Sequence, residues 1–429
     1  VEITVNDITS VDREIVISAQ REDLEPNFKE AYKKYRGQIN MPGFRPGKVP
    51  LKIVRKRFGD EIEREEVNKY VQDVFENEVV PEYDPVGESQ MLDLIWEDDE
   101  LEAKFKIGAR PDFELGDLEK VSVDRLVHDV TDEEVQEEID RQLEQQGNWE
   151  VVEEEITEES KVTVDAAHLN EEGESVEEET DEGQVIDLRK EEFAQFKDDL
   201  LGHETGDEVD VTLGEGEEAD TFRLTIQKVE KLHKAELTDA FAKQQSDEEA
   251  KNVDEYKSLV KSRIQDYYDQ SADDLFKNDV VDELVDRHDF EVPEVFVNQV
   301  ENQYVERVKQ QSGGELPPSF DEEEYKEEVH DRAVRDAKWF FLNEKLQEKF
   351  DDIEIKPEDI DAQLEQQAAQ YGVSVDQMRN LFAQNPQQLE SLRNNIRENK
   401  VFDKLKEVVE VNEIDKETYQ QKHDEKVKA

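Results

Sequence analysis

Cysteine is absent from this 429-residue chain. Disulfides, thiolate nucleophiles and cysteine metal sites are therefore excluded. No apolar run approaches the roughly 18 residues that a membrane-spanning helix needs. Apolar residues are scarce as well, at 35% against 40% charged. That balance alone would describe a disordered chain. Regular apolar patterning along most of the sequence argues for folded domains instead, and the length allows about two to four of them. Basic charge is the scarcest commodity: 54 Lys and Arg stand against 116 Asp and Glu, a formal net charge of −62. The excess is spread everywhere rather than gathered in a tail. Such uniform acidity is expected of adaptation to a high-salt cytoplasm, where a screening length of roughly 3 Å at 1 M salt tolerates dense like charge. The first residues, Val1 to Val5, alternate like a strand and show no basic-then-apolar signal pattern. The expected compartment is the cytoplasm.

Catalytic signatures are missing too. Gly43 to Lys48 superficially resembles a phosphate-binding P-loop, but only three residues separate its glycines where four are required. Val49 stands where a Mg²⁺-holding Ser or Thr should be. His128, His168, His203, His233, His288, His330 and His423 are scattered and form no HExxH pair, and there is no G-x-S-x-G elbow. Carboxylate pairs are so numerous that none is informative. Nothing points to acid–base, nucleophilic or metal catalysis, and neither a metal nor a cofactor is expected.

What is present stands out against this background. Residues 31–59 contain no Asp or Glu and carry nine cations: Lys33, Lys34, Arg36, Arg45, Lys48, Lys52, Arg55, Lys56 and Arg57. In the middle lies Pro42-Gly43-Phe44-Arg45-Pro46-Gly47-Lys48-Val49-Pro50. Gly43 and Gly47 open backbone conformations closed to other residues. The three prolines fix φ and deny ordinary helix or strand pairing. The expectation is a stiff, protruding loop displaying Phe44, Arg45 and Lys48 to an anionic partner, with little entropy left to lose on binding. Arg45 can make bidentate contacts to phosphate or carboxylate, and Lys48 supplies a point charge. Phe44 can stack on a base or fill an apolar pocket. The competing expectation is a tight turn whose Phe44 tucks into its own domain and whose cations pair with nearby Glu.

The rest of the chain reads as an α+β multidomain protein. In residues 1–112, Ile3 to Ile8, Glu14 to Ala19 and Leu101 to Ile107 alternate like strands. Helical patterning covers Leu24 to Gln38 and Glu61 to Val80. In residues 113–149 a strand-like run, Val121 to Leu126, precedes a helix opened by a capping box, Thr131 with Glu134, and stopped near Gly147. Residues 150–232 form a small β-rich domain, with runs at Lys161 to Ala166, Glu208 to Leu213 and Thr221 to Val229. A short helical piece lies at Glu191 to Leu201. Residues 233–429 are almost all helical, with five or more helices broken at Pro293, Gly313-Gly314, Pro317-Pro318, Pro357 and Gly372. Phe320, Phe340, Phe341, Leu381 and Phe382 are apolar positions on these helices that either complete the core or remain as apolar surface.

Gly43-Phe44-Arg45-Pro46-Gly47-Lys48-Val49-Pro50 resembles the G-F-R-x-G-K-x-P ribosome-docking motif of bacterial trigger factor. Leu201-Gly202-His203-Glu204-Thr205-Gly206-Asp207 and Phe222 to Glu230 resemble the end of that family's FKBP-like domain. Glu236-Leu237-Thr238-Asp239-Ala240-Phe241-Ala242-Lys243 resembles the entry to its helical domain, so the resemblance spans essentially the whole chain. It implies a ribosome-binding domain, a linker whose helix runs alongside the helical domain, an FKBP-like domain, and a discontinuous all-helical chaperone domain. The implied activity is that of an ATP-independent chaperone. It docks beside the ribosomal exit tunnel, on ribosomal protein and rRNA, and shelters nascent or unfolded polypeptides, assisting folding and export. The implied docking residues are Gly43, Phe44, Arg45, Gly47 and Lys48. The location is cytoplasmic and partly ribosome-associated, with no DNA or membrane partner. A homodimer off the ribosome is allowed, since the sequence does not set the oligomeric state.

One domain departs from the family pattern. FKBP-type isomerases favour the twisted X-Pro amide in an aromatic-lined, dry pocket, lowering an uncatalysed barrier of roughly 18–20 kcal/mol. Between Val151 and Ala235 the only aromatics are Phe193, Phe196 and Phe222. The family's strand ending in Asp-Phe becomes Val164-Asp165-Ala166. Its Ile-Pro-Gly-Phe-Glu-Asp-Gly turn becomes Phe193-Ala194-Gln195-Phe196-Lys197-Asp198-Asp199, in which only Phe196 matches directly. A loop from His168 to Gln184 carries eight acids and no aromatic. The expected pocket is degenerate and the peptidyl-prolyl isomerase activity weak or lost. Two other readings stay open: a working isomerase acting on nascent or unfolded chains, and a chaperone of another class that works without the ribosome.

Overall fold

The computed structural model describes residues 1–45, 47–169, 175–213 and 220–428. Its contacts divide the chain into two compact units, Val1–Leu126 with Asp273–Ala429, and Val127–Ala272.

The first unit opens with β1 (Glu2–Asp7), β2 (Asp12–Gln20) and α1 (Arg21–Gln38). Then come α2 (Leu51–Val74), a π-helical turn (Phe75–Val79), α3 (Val80–Tyr83), β3 (Val86–Glu97) and β4 (Glu100–Gly108). The sheet is antiparallel in the order β1-β2-β4-β3. Period-2 alternation puts Ile15, Ile17 and Ala19 of β2 and Leu101, Ala103, Phe105 and Ile107 of β4 on one face. Leu24 and Phe28 of α1 and Val54, Ile62, Val67 and Val71 of α2 complete that core. Each such side chain contributes about 1.5–3 kcal/mol by its burial. Helix α2 begins ten residues before the expected Glu61. Its first turns are Leu51-Lys52-Ile53-Val54-Arg55-Lys56-Arg57, with Val54 toward the core and the cations exposed, and Pro50 sets the entry. Strand β3 has no counterpart among the expected elements. It is an edge strand with two register shifts and a mostly exposed pattern, so no alternation marks it. Strand β5 (Ser122–Leu126) ends this stretch.

In the second unit α4 (Asp132–Gln145) starts at the expected capping box. The Thr131 hydroxyl accepts from Glu134 N–H, and Glu134 accepts from Thr131 N–H. Strands β6 (Asn148–Val151), β7 (Ser160–Leu169) and β8 (Ser175–Asp187) follow. A 3₁₀ turn at Glu191–Phe196, α5 (Lys197–Leu200), β9 (Glu208–Leu213) and β10 (Asp220–His233) complete a five-stranded sheet. The path runs β6-β10-β7-β8, with β9 paired to β10. Val162, Val164, Ile186, Leu188, Val209, Val211, Leu224 and Ile226 form its core. The acidic segment expected as a loop is a correction. From Ser175 onward it is strand β8, paired antiparallel with β7, because backbone pairing proceeds whatever charge the solvent-side chains carry. Residues 170–174 of that segment lie outside the described residues. Helix α6 (Asp239–Gln245) and the start of α7 (Val253–Arg287) pack with α4 through Ile139, Leu143, Tyr256 and Val260.

The chain then returns to the first unit through the second half of α7. It continues as α8 (Glu294–Gln311), α9 (Glu322–Lys349), α10 (Pro357–Tyr371), α11 (Val375–Gln384) and α12 (Pro386–Val408). Strand β11 (Glu410–Ile414) pairs in parallel with β5, and α13 (Lys416–Lys428) follows. Breaks fall at the expected prolines and glycines; Gly372 takes φ 65° as the left-handed cap of α10. The main core of this part joins Phe276, Leu284, Leu342, Leu346, Val401 and Leu405 with Leu118 and Val123. No described helix is long and apolar enough to cross a membrane.

Candidate functional site

The acid-free stretch forms the end of a helical hairpin. The last turns of α1 carry Lys33, Lys34 and Arg36, and the first turns of α2 carry Lys52, Arg55, Lys56 and Arg57. Between them runs the segment from Ile39 to Pro50. It holds two successive hydrogen-bonded turns, each with a glycine of positive φ as its third residue. In the first, Phe44 N–H donates to the Met41 carbonyl at 3.1 Å, with Pro42 second and Gly43 third at φ 91°. Proline followed by a residue of positive φ is the type II pattern. The second closes with Lys48 N–H donating to the Arg45 carbonyl at 2.9 Å, with Gly47 at φ 73°. Pro46 lies outside the described residues. A Cβ at either glycine would meet nothing within 4 Å, so the backbone angle, not space, requires glycine there.

Two apolar side chains anchor the loop. Met41 is 8% exposed and Val49 1% exposed, and both belong to the core of the sheet and hairpin. Phe44 lies between them in sequence and stays outside at 37% exposure. Arg45 and Lys48 are exposed. Of the nine cations only Arg55 comes near a carboxylate, Glu63 at 3.9 Å. Among the described residues the other eight have no carboxylate within ion-pairing distance. The tucked turn with neutralised cations, the bland expectation, is therefore not what forms. Sequence reasoning named Gly43, Phe44, Arg45, Gly47 and Lys48 but missed Met41 and Val49. Their signal was available: they are the apolar residues that bracket the Pro-Gly string.

The candidate isomerase residues occupy the β-rich domain. Phe193 and Phe196 sit on the 3₁₀ turn with ring centroids 6.2 Å apart. The Phe222 ring, on β10, meets His168 edge-on at 5.3 Å. All three are half-buried and pack against the domain's own core of Val162, Ile226 and their neighbours. Among the candidate client residues, Phe341 is only 3% exposed and belongs to the core. Phe340 and Leu381 are exposed, and Tyr371 and Val373, not anticipated, join them. Phe320 and Phe382 are half-buried.

Comparison with known proteins covers most of the chain. The family model for the bacterial trigger factor protein (TF) matches residues 1–142, and that for the bacterial trigger factor protein (TF) C-terminus matches residues 252–407. The trigger factor of Salinibacter ruber (strain DSM 13855 / M31) is 26% identical over 448 residues, 97% of this chain and 95% of that protein. The trigger factor of Prosthecochloris aestuarii (strain DSM 271 / SK 413) is 25% identical over 373 residues, 85% of this chain and 86% of that one. A solved structure, from work on promiscuous substrate recognition in the folding and assembly activities of the trigger factor chaperone, superposes with a TM-score of 0.52. It is 21% identical and covers 94% of this chain and 99% of its own, a likeness of fold.

Proposed function

The chain belongs to the trigger factor family of bacterial chaperones, and from that membership we propose that it docks at the ribosomal exit tunnel and shelters nascent polypeptides without ATP. The observation that carries the docking role is the anchored double turn, which displays Phe44, Arg45 and Lys48 amid cations of which, among the described residues, all but Arg55 lack a carboxylate partner. Arg45 and Lys48 suit rRNA phosphates or acidic ribosomal-protein side chains, and Phe44 suits an apolar pocket on ribosomal protein. Docking implies a cytoplasmic location, partly ribosome-associated. The working division is residues 1–112 for docking, 113–149 as linker, 150–232 as the FKBP-like domain and 233–429 as the helical chaperone domain. Exposed Phe340, Tyr371, Val373 and Leu381 are the client contacts this reading favours, since dense surface acid leaves apolar burial as the main attraction. The test is co-sedimentation: Phe44→Ala/Arg45→Ala/Lys48→Ala removes the displayed contacts and should leave the chain folded but off the ribosome.

The FKBP-like domain is assigned weak or no isomerase activity. In support, Phe193, Phe196 and Phe222 are half-buried against the domain's own core. The alternative, an active isomerase, is decided by catalysis of a proline-limited refolding reaction.

A further inference from the structure

Among the described residues Glu63 is one of five buried carboxylates, with Asp12, Asp187, Glu230 and Glu301. It stands in the middle of α2. Arg21, the first residue of α1, donates to its Oε1, and the Tyr32 hydroxyl, three turns further along α1, donates to the same oxygen. Arg55, two turns earlier on α2, approaches that oxygen at 3.9 Å. Arg21 reaches beyond the hairpin as well. Its guanidinium donates to Asp99 Oδ1 at 2.7 Å, and its main-chain N–H to the Asp99 carbonyl at 2.8 Å. Asp99 lies in the β3–β4 turn with φ 65°. The guanidinium also lies 5.2 Å from the Phe28 ring centroid and 5.9 Å from that of Trp96. One carboxylate oxygen thus ties α2 to the start of α1 and to a point three turns further along it and, through Arg21, to the sheet.

Apolar packing already holds these helices together. A buried ion pair adds little stability over apolar residues of the same volume. What it adds is direction, because hydrogen bonds are satisfied at one register of two helices and broken at others. Burial and the Glu63 contact push the Tyr32 hydroxyl up, and the Glu63 contact raises the Arg21 guanidinium, so both remain donors at neutral pH. The lock is close to the docking loop. Tyr32 stands about 9 Å along α1 from its last residue, at a rise of about 1.5 Å per residue. Arg55 belongs to the first turns of α2 and faces the Tyr32 ring at 5.9 Å.

Resting on the docking role proposed above, we propose that Glu63, with Tyr32 and Arg21, is a positioning group for the loop. It fixes the register of α1 against α2 and hence the height and angle at which Phe44, Arg45 and Lys48 are presented. The same carboxylate explains why Arg55 alone among the nine cations is paired: it serves the lock, and the other eight remain for the partner.

The test uses the full chain with Tyr32→Phe, which removes one hydroxyl and keeps the ring, and with Glu63→Gln, which keeps an acceptor and removes the charge. Each variant should bind ribosomes about tenfold more weakly, through loss of loop preorganisation. Amide exchange should rise in the 39–50 segment while the strands of the sheet keep wild-type protection. A general loss of stability would instead raise exchange in the strands too. In the Phe44→Ala/Arg45→Ala/Lys48→Ala background the lock variants should weaken binding no further. Wild-type affinity and wild-type loop exchange in both variants would overturn the proposal. So would faster exchange throughout the sheet in Tyr32→Phe. If the triple-alanine chain still binds ribosomes, the docking reading falls, and the loop-exchange result still judges the lock.

Discussion

Phe44 stays outside the core although Met41 and Val49, three and five residues away, are inside it. A phenylalanine so placed has been excluded by geometry: two turns with left-handed glycines force the backbone outward between its anchors. Burying such a ring would have contributed about 1.5–3 kcal/mol, so leaving it in water suits a residue reserved for a partner. Other single residues serve stability alone. Asp187 is buried and accepts two hydrogen bonds from the Arg189 guanidinium, at 2.9 and 2.7 Å, and one from its main-chain N–H at 3.3 Å, while the guanidinium lies 4.5 Å from the Trp149 ring centroid. The Arg189 hydrogen bonds hold its carboxyl below the ordinary value of 3.8. A depressed carboxyl contributes stability that is present above its unfolded value and is lost as pH falls through the folded one. Asp187→Asn should therefore lower stability by about 2 kcal/mol at neutral pH. The gap to wild type should narrow below pH 3.8. Urea unfolding followed across acid pH measures both; a gap that persists undiminished in acid would refute the assignment.

Among the elements, those with a clean period were legible in the sequence and those without one were not. β2 and β4 alternate strictly and formed within two residues of their expected bounds. α4 was marked by its capping box and stop. β3 was illegible because an edge strand with two register shifts buries little. The first ten residues of α2 are an exception: they were missed although Val54, Phe58 and Ile62 keep a helical spacing toward the core, with the cations on exposed positions. β8 was hidden by its own acidity. The turns that carry Phe44, Arg45 and Lys48 could be read because Pro and Gly constrain backbone directly, whereas the contacts of Glu63 could not: one Glu among so many gives no signal until its burial and its partners are seen. The piece from Glu191 to Leu201, expected as one short helix, forms a 3₁₀ turn at Glu191–Phe196 and one α turn at Lys197–Leu200. That split places Phe193 and Phe196 against the domain core. The prediction belongs to this turn. The chain should accelerate a proline-limited refolding reaction little above background, and Phe196→Ala should change that rate little. A rate typical of FKBP-type isomerases, abolished by Phe196→Ala, would contradict it.

Taken whole, the molecule is dominated by its charge of −62. Self-repulsion of that size opposes the compact state and is relieved by screening. The screening length falls from about 10 Å at 0.1 M salt to about 3 Å at 1 M. Thermal unfolding should therefore move to higher temperature as potassium chloride rises across that range. An unfolding temperature that falls with salt would show that attraction between unlike charges outweighs repulsion. The same screening bears on docking. Generic attraction of cations to phosphate weakens steeply with salt, so a partner bound in molar salt must be held by short-range contacts. On the proposed docking role, Arg45, Phe44 and the turns that hold them would supply those, and eight cations that are unpaired among the described residues would spare an anionic partner the repulsion of the acidic surface. Co-sedimentation with ribosomes at about 1 M salt, where the screening length is about 3 Å, tests this most directly. Wild type should pellet with the ribosomes and Phe44→Ala/Arg45→Ala/Lys48→Ala should remain in the supernatant; equal pelleting of the two would contradict docking through this loop.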